Sequence, residues 1–343
     1  MTAPHSPIPP DMTAVEIVRP GGPDVLIPTR RPTPHPGNGE LLIRVHAAGV
    51  NGPDVLQRKG FYAPPPGASD IPGLEIAGEV VLTGPGANRF ARGDLVCALL
   101  TGGGYADYAV ADESVVMKLP AGLTLVEAAA MPETFMTVWQ NLIQNGRFRA
   151  GESLLIHGGA SGIGTVATMI SKAMGASQII TTVGSTSHRE ASLALGANVA
   201  ILYREEDFVA AVQKATDGRG VDVILDIIAG DYVARNVQAA AMEGRILQVS
   251  ALKGAAKDLD LWPMIGKHLT LIGSTLRPRS NKEKAAIIAE MEQRLWPHIE
   301  AGRVRPQIDR TFALKAARDA HELIDSGTHM GKIVLTTDAF VRV

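Results

Sequence analysis

The stretch SLLIHGGASGIGTVATMISKAMGA, residues 153–176, changes character twice. Ser153–His157 is a short apolar run that reads as a buried strand, and Val166, Met169, Ile170, Ala173 and Met174 then fall on one face of a helix. Between them Gly159, Ala160, Ser161, Gly162, Ile163 and Gly164 leave little side chain between the backbone and whatever approaches it. Free N–H groups at a helix start, with the positive end of the helix dipole, suit a phosphate or pyrophosphate. The dinucleotide fingerprint G-x-G-x-x-G is met here except that Ser161 stands at its middle glycine. The turn alone fits any strand-to-helix connection of an α/β protein, so its surroundings must decide.

A second β-branched strand, Gln178–Val183, ends about 20 residues after the glycine turn, where such folds hold the adenosine ribose. A carboxylate there would accept bonds from the ribose hydroxyls and repel a 2′-phosphate. This chain has Gly184 and Ser185 instead, followed by His188 and Arg189. Ser185 can donate to a 2′-phosphate, and Arg189 with His188 can meet its charge, which favours NADPH over NADH. The alternative is that Arg189 is an ordinary solvated helix residue. VDVILDIIAG, RILQVSA and HLTLIGSTL supply three more β-rich runs, with helical patterns over residues 207–216 and 232–241. This alternation predicts a doubly wound parallel sheet. Its strand ends place residues 226–230, Ser250, Ala251, Leu252, Gly273, Ser274 and Thr275 where the cofactor lies.

Composition narrows the class. The chain has 343 residues, 45% hydrophobic and 20% charged, enough for two domains with ordinary cores. A formal net charge of −2 with scattered lysine and arginine gives no footprint for nucleic acid, and no apolar run is long enough to span a membrane. The single cysteine, Cys97, excludes an internal disulfide framework and a cysteine-rich zinc site. The expected location is the cytoplasm. The proline-rich start reads as a disordered tail over residues 1–13.

The regions flanking the nucleotide pattern differ from it. Before residue 130, ELLIRVHAAGV, EIAGEVVLTG, DLVCALL and YADYAVAD alternate with glycine and proline turns, as in a β-barrel-like domain. A helix is expected over about residues 126–145 despite Pro132, and another over residues 282–301. GKIVLTT near the end reads as a strand without a βαβ partner that returns to the first domain.

Taken in order, GVNGPDVLQRKGFY, GLEIAGEVV, GGGYADYAV, HGGASGIGT, LYREEDF and MGKIVL resemble the zinc-free quinone oxidoreductases of the medium-chain dehydrogenase/reductase superfamily. YAPPPGAS (residues 62–69) and STLRPRSNK (residues 274–282) resemble its tumour-suppressor-inducible branch in particular. The resemblance covers about residues 14–337. It implies a GroES-like β-rich catalytic domain (residues 14–135 and 302–343) and a Rossmann NADPH-binding domain (residues 136–301). It also implies a homodimer paired through Rossmann edge strands, here residues 269–275.

In zinc enzymes of the superfamily a cysteine stands at Asn51 and a histidine at Leu74, beside the glutamate matching Glu75, so no metal is expected. His46 and His157 are then structural. Without a Lewis acid the acceptor must be easily reduced, and a quinone, which becomes aromatic on reduction, meets that need. The resemblance puts Asn51 and Tyr62 near nicotinamide and substrate and Thr137 near the nicotinamide amide. It puts Ser161, Gly162, Ile163 and Gly164 on the pyrophosphate and Tyr203 on the adenosine phosphate. Relatives often carry lysine at His188, and a second tyrosine of some bacterial relatives is Leu56 here. Tyr62 reads equally as a proton donor and as an aromatic packing the wall. Reduction of an activated C=C bond in an enal, enone or enoyl thioester is the alternative activity. A nucleotide-sensing or RNA-binding protein is the third reading, disfavoured by the balanced charge.

Overall fold

A computed structural model describes residues 7–339. In chain order its strands begin with β1 (Asp11–Ile17), β2 (Leu26–Pro32), β3 (Glu40–Val50), β4 (Glu75–Thr83) and β5 (Leu95–Leu99). They continue with β6 (Tyr108–Asp112), β7 (Val116–Lys118), β8 (Ser153–His157), β9 (Gln178–Val183) and β10 (Val199–Leu202). The last are β11 (Val221–Asp226), β12 (Ala240–Gln248), β13 (Thr270–Gly273), β14 (Ile308–Ala313) and β15 (Lys332–Thr336). The chain divides into two compact units.

One unit holds Met1–Glu133, Arg277–Ile288 and Ile308–Val343. Its main sheet runs β14-β15-β3-β4-β5-β7 with β6 also on β3, and β1 pairs with β2 in a separate ribbon. β3 alternates little because both faces are covered; Leu41, Ile43 and Val45 pack in one core with Ile76, Val80, Val96 and Ile333. Gly78 lets β3 and β4 approach, since a Cβ there would sit 2.0 Å from the Arg44 carbonyl oxygen.

Two expectations change in this unit. β1 starts at Asp11, inside the stretch read as a tail; Met12 is buried in the core and Asp11 lies opposite Pro32. Residues 1–6 of that stretch lie outside the described residues. β15 does have a βαβ partner: it runs parallel to β14, joined by the helix Ala317–Ser326. The helix has a signal in Ala317, Ala320, His321 and Ile324 at one-face spacing, closed by Gly327 in the left-handed region at φ 64°.

The other unit holds Thr134–Leu276 and Ala289–Gln307. Its six strands run β10-β9-β8-β11-β12-β13 and pair in parallel throughout. In order of appearance that is 3-2-1-4-5-6, the dinucleotide-binding order, with β8 central and buried along its whole length. The helix expected over residues 126–145 is interrupted. Leu125–Ala128 is a single turn, Pro132 starts a new helix that ends at Trp139, and Gln140–Asn145 is a π-helical turn. Proline lacks the N–H that would continue the first helix but suits the first position of the second. The helix expected over residues 282–301 likewise ends at Arg294 and restarts as Trp296–Glu300, with Pro297 in its first turn.

Candidate active site

Asn51 caps the helix Gly52–Arg58 at the end of β3 and is 5% exposed. Its amide nitrogen Nδ2 donates to Glu75 Oε1 at 2.9 Å, and its oxygen Oδ1 accepts from Lys332 Nζ at 2.5 Å. Lys332, from β15, also reaches Glu75 Oε1 at 2.7 Å and the Val50 carbonyl at 3.1 Å. The second Glu75 oxygen accepts the Glu133 backbone N–H at 2.8 Å. Both functional atoms of Asn51 and both oxygens of the fully buried Glu75 are therefore engaged. Beside them Leu74 is an apolar core residue.

A second network fixes this cap. Asp54 accepts the Asn51 backbone N–H at 2.9 Å, the Gly73 N–H at 3.1 Å and the Tyr105 hydroxyl at 3.3 Å. Arginine only donates, so the 3.1 Å contact of Arg58 Nη1 with His321 Nδ1 assigns the imidazole proton to Nε2. That nitrogen then donates to the Tyr105 oxygen at 3.0 Å, and Tyr105 to Asp54. Burial and the neighbouring Arg58 guanidinium push His321 down to about 3, so it stays neutral. Burial pushes Asp54 up to about 6 against the two backbone N–H bonds that favour its anion. Burial, reinforced by the Glu75 and Asp54 charges, pushes Glu133 up to about 8. At neutral pH the Glu133 carboxyl is mainly protonated.

Tyr62 lies in the loop after the capped helix, half-buried, with the Arg277 guanidinium 5.3 Å from its ring centre. Arg277 is 3% exposed; its Nε and Nη2 donate to the Thr101 carbonyl at 2.9 and 2.7 Å, and Nη2 donates to Gln57 Oε1 at 2.8 Å. Burial raises the Tyr62 phenol above its ordinary value, Glu133 raises it further, and Arg277 opposes both.

In the parallel-sheet unit the glycine turn behaves as its residue types dictate. Ser161 caps the helix Gly162–Ala173 through an Oγ that accepts the Gly164 N–H at 3.0 Å. The serine in place of the middle glycine thus satisfies one donor and leaves Gly162 and Ile163, at the helix start, without intrahelical acceptors. Gly164 packs so tightly that a Cβ would lie 2.1 Å from the Gly158 carbonyl oxygen. At the end of β9, Ser185 caps the next helix and accepts the His188 N–H at 3.2 Å. Arg189 is already engaged: Nε donates to the Ala200 carbonyl at 2.9 Å and Nη2 pairs with Glu206. Tyr203, 41% exposed, lies against Gly184, and the Arg204 guanidinium sits 5.5 Å over its ring.

The remaining cofactor candidates gather at the carboxyl ends of the strands. Asn141 donates to the Thr137 carbonyl at 2.9 Å and accepts from Ser274 Oγ at 2.8 Å, joining two of them. Gln248 bridges the carbonyls of Asp226 and Ser250, at 3.2 and 2.6 Å, at the ends of β11 and β12. Ala251 and the exposed Leu252 follow in the same loop, and Gly273 ends β13. His157 is a buried structural residue: Nε2 donates to Asn236 Oδ1 at 2.7 Å, and its ring packs edge-on against both Phe208 and Tyr232, 4.8 Å from each. The sequence alone does not single out Lys332, Glu133, Arg204, Arg277 or Asn141. Arg277 stands in STLRPRSNK, Arg204 in LYREEDF and Lys332 in MGKIVL, so those three have a positional signal but no role attached to it.

Family models described as alcohol dehydrogenase GroES-like domain and zinc-binding dehydrogenase match residues 37–121 and 195–335. The chain is 31% identical to a quinone oxidoreductase of Rattus norvegicus over 329 residues, 94% of this chain and 97% of that protein. It is also 31% identical to a part of a phenolphthiocerol/phthiocerol polyketide synthase of Mycobacterium tuberculosis, covering 94% of this chain and 15% of that protein. Among solved structures, an NAD-dependent alcohol dehydrogenase is similar at 30% identity and TM-score 0.85, over 95% of this chain and 99% of that one. The Escherichia coli quinone oxidoreductase complexed with NADPH is similar at 28% identity and TM-score 0.83, over 94% and 99%.

Proposed function

This chain belongs to the quinone oxidoreductase family of the medium-chain dehydrogenase/reductase superfamily, and from that premise we propose that it reduces quinones with NADPH and without zinc. It is an oxidoreductase acting on a small molecule with a nicotinamide cofactor. The observation that carries the finer reading is the Asn51–Lys332–Glu75 cluster. Its amide and ammonium, next to apolar Leu74, offer a metal a poor donor set, and among the described residues no three His, Cys, Asp or Glu side chains group to hold one. A fixed amide and cation near the acceptor suit a substrate that needs positioning more than polarisation.

NADPH, when bound, supplies the hydride. Gly162 and Ile163 offer backbone N–H groups to the pyrophosphate, with Ser161 and the close-packed Gly164 shaping the turn beneath it, and Thr137, Ser250, Ala251, Leu252, Gly273, Ser274 and Thr275 border the rest of the cofactor. The absence of a carboxylate at Gly184 and Ser185 supports a 2′-phosphate there, with His188 beside it. Because Arg189 is paired with Glu206, the guanidinium of Arg204, on the Tyr203 side, is the freer cation for that phosphate. Asn51 and Tyr62 contact the acceptor. The same reading has the protein in the cytoplasm as a homodimer.

The test is acceptor-dependent oxidation of NADPH and NADH by chelator-treated protein, with an ortho-quinone, a para-quinone, an enone and crotonyl-CoA. Quinone turnover with NADPH supports the proposal. Turnover of only the enone or thioester moves the chain to C=C reduction, the reading that the polyketide synthase match favours. NADPH binding without any turnover overturns both.

A further inference from the structure

Among the polar atoms of the β-rich unit that are buried without a hydrogen-bonding partner, two belong to the surroundings of Tyr62: Oε2 of Glu133 and Nη1 of Arg277. Leaving either unsatisfied costs more than an ordinary hydrogen bond returns, so each needs an explanation. The rest of Arg277 is fixed by Thr101 and Gln57, and its main-chain carbonyl accepts from the buried Lys284 Nζ at 3.0 Å. Only Nη1 is left to donate elsewhere, from a guanidinium stacked near the half-buried Tyr62 ring. The Arg277 guanidinium lies 5.3 Å from the Tyr62 ring centre, and the charges of Glu133 and Arg277 both reach Tyr62, with opposite sign.

On the proposed quinone reduction, we infer that this pair is the oxygen site of the acceptor: Arg277 Nη1 donates to the carbonyl oxygen on which negative charge develops, and the Glu133 carboxyl gives that oxygen its proton. The step balances. The quinone takes two electrons with the hydride and becomes a hydroquinone monoanion; the Glu133 Oε2–H bond breaks, a quinol O–H bond forms, and the electron pair stays on the Glu133 carboxylate. Solvent then returns one proton to Glu133. The charges facing this carboxyl are Glu75, Asp54, Lys332 and Lys284, with Tyr62 and Arg277 on the loop side. Burial and the two carboxylates keep it protonated until about pH 8, which suits an acid working near neutrality.

The test uses the full chain with NADPH and 4-nitrophenolate as an aryl oxyanion probe, alongside turnover of a quinone. Arg277→Lys should weaken phenolate binding about tenfold or more, with NADPH affinity changed less than about twofold. The isosteric Glu133→Gln keeps an N–H donor, so it should bind phenolate at neutral pH but lose the weakening that wild type shows above about pH 8. In turnover it should lower kcat about a hundredfold with the acceptor KM within about threefold. Wild-type phenolate affinity and pH profile in both variants would overturn the inference, as would a Glu133→Gln kcat within about threefold of wild type. If wild type reduces no quinone, the proposed activity fails, and phenolate binding alone then decides whether the pair is an oxyanion site.

Discussion

Lys332 is the residue on which the β-rich unit's polar interior turns. With its ammonium on Glu75, Asn51 and the Val50 carbonyl, it neutralises a carboxylate that has no water to solvate it. Lys332→Met should therefore destabilise the fold by about 3–5 kcal/mol, and adding Glu75→Gln should recover a large part of the loss, as thermal melts of the two variants would show. Glu133 gives the opposite pH signature. Its folded value is raised from about 4.5 to about 8, so the folded state binds the proton more tightly than the unfolded chain. That contribution is complete below about pH 4.5 and is lost as pH rises through about 8. The Tm of Glu133→Gln relative to wild type should accordingly climb across that window; a constant difference would mean that the carboxyl does not titrate as its burial requires. For the cofactor, Arg204→Ala should raise the KM for NADPH and spare that for NADH, whereas Arg189→Ala should change both little or lower stability through the lost Glu206 pair. The reverse ranking would return the phosphate to Arg189.

At the scale of elements, the turn between β8 and its helix is the most constrained. An alanine Cβ at Gly164 would meet the Gly158 carbonyl oxygen at 2.1 Å, a backbone atom that cannot swing away. Gly164→Ala should cost about 1–3 kcal/mol by overpacking and weaken NADPH binding with it, read by chemical denaturation and by nicotinamide fluorescence. This element is also the most legible. β8 and β9 have the bounds read from their apolar and β-branched runs, because a strand buried on both faces shows as a short, nearly continuous run without charge. Other elements are legible in part. The patterns over residues 126–145 and 282–301 are continuous in hydrophobicity, but Pro132 and Pro297 decide where a helix restarts. The helix Ala317–Ser326 escapes a reading by hydrophobicity because its buried face is small and carries His321, which does not read as core. The site itself is legible at Asn51, a position with a family counterpart, and illegible at Glu133 and Arg277. What distinguishes those two is an unpaired atom each, and whether an atom is paired depends on neighbours far along the chain, such as Glu75, Thr101 and Gln57.

At the scale of the molecule, the parallel sheet presents an unfinished edge. Among the described residues β13 pairs only with β12, its residues are largely exposed, and Leu271 is 42% exposed on it. Nearby in sequence Leu261, Trp262 and Ile265 are also exposed, Trp262 at 77%. A strand with one open edge, close in sequence to large exposed apolar side chains, is a liability in a monomer and an asset in an assembly, because its free N–H and C=O groups and its apolar side chains can be buried when two copies meet. A two-fold pairing of β13 strands would use the same surface on both copies and close the assembly at two. Leu271→Arg combined with Trp262→Glu should convert a dimer into a monomer by light scattering at micromolar concentration. The prediction includes the fold of each copy: the far-ultraviolet circular dichroism should be unchanged, since neither side chain belongs to a buried core. A wild-type chain that is already monomeric at that concentration would refute the pairing. A double variant that stays dimeric would move the interface to another face.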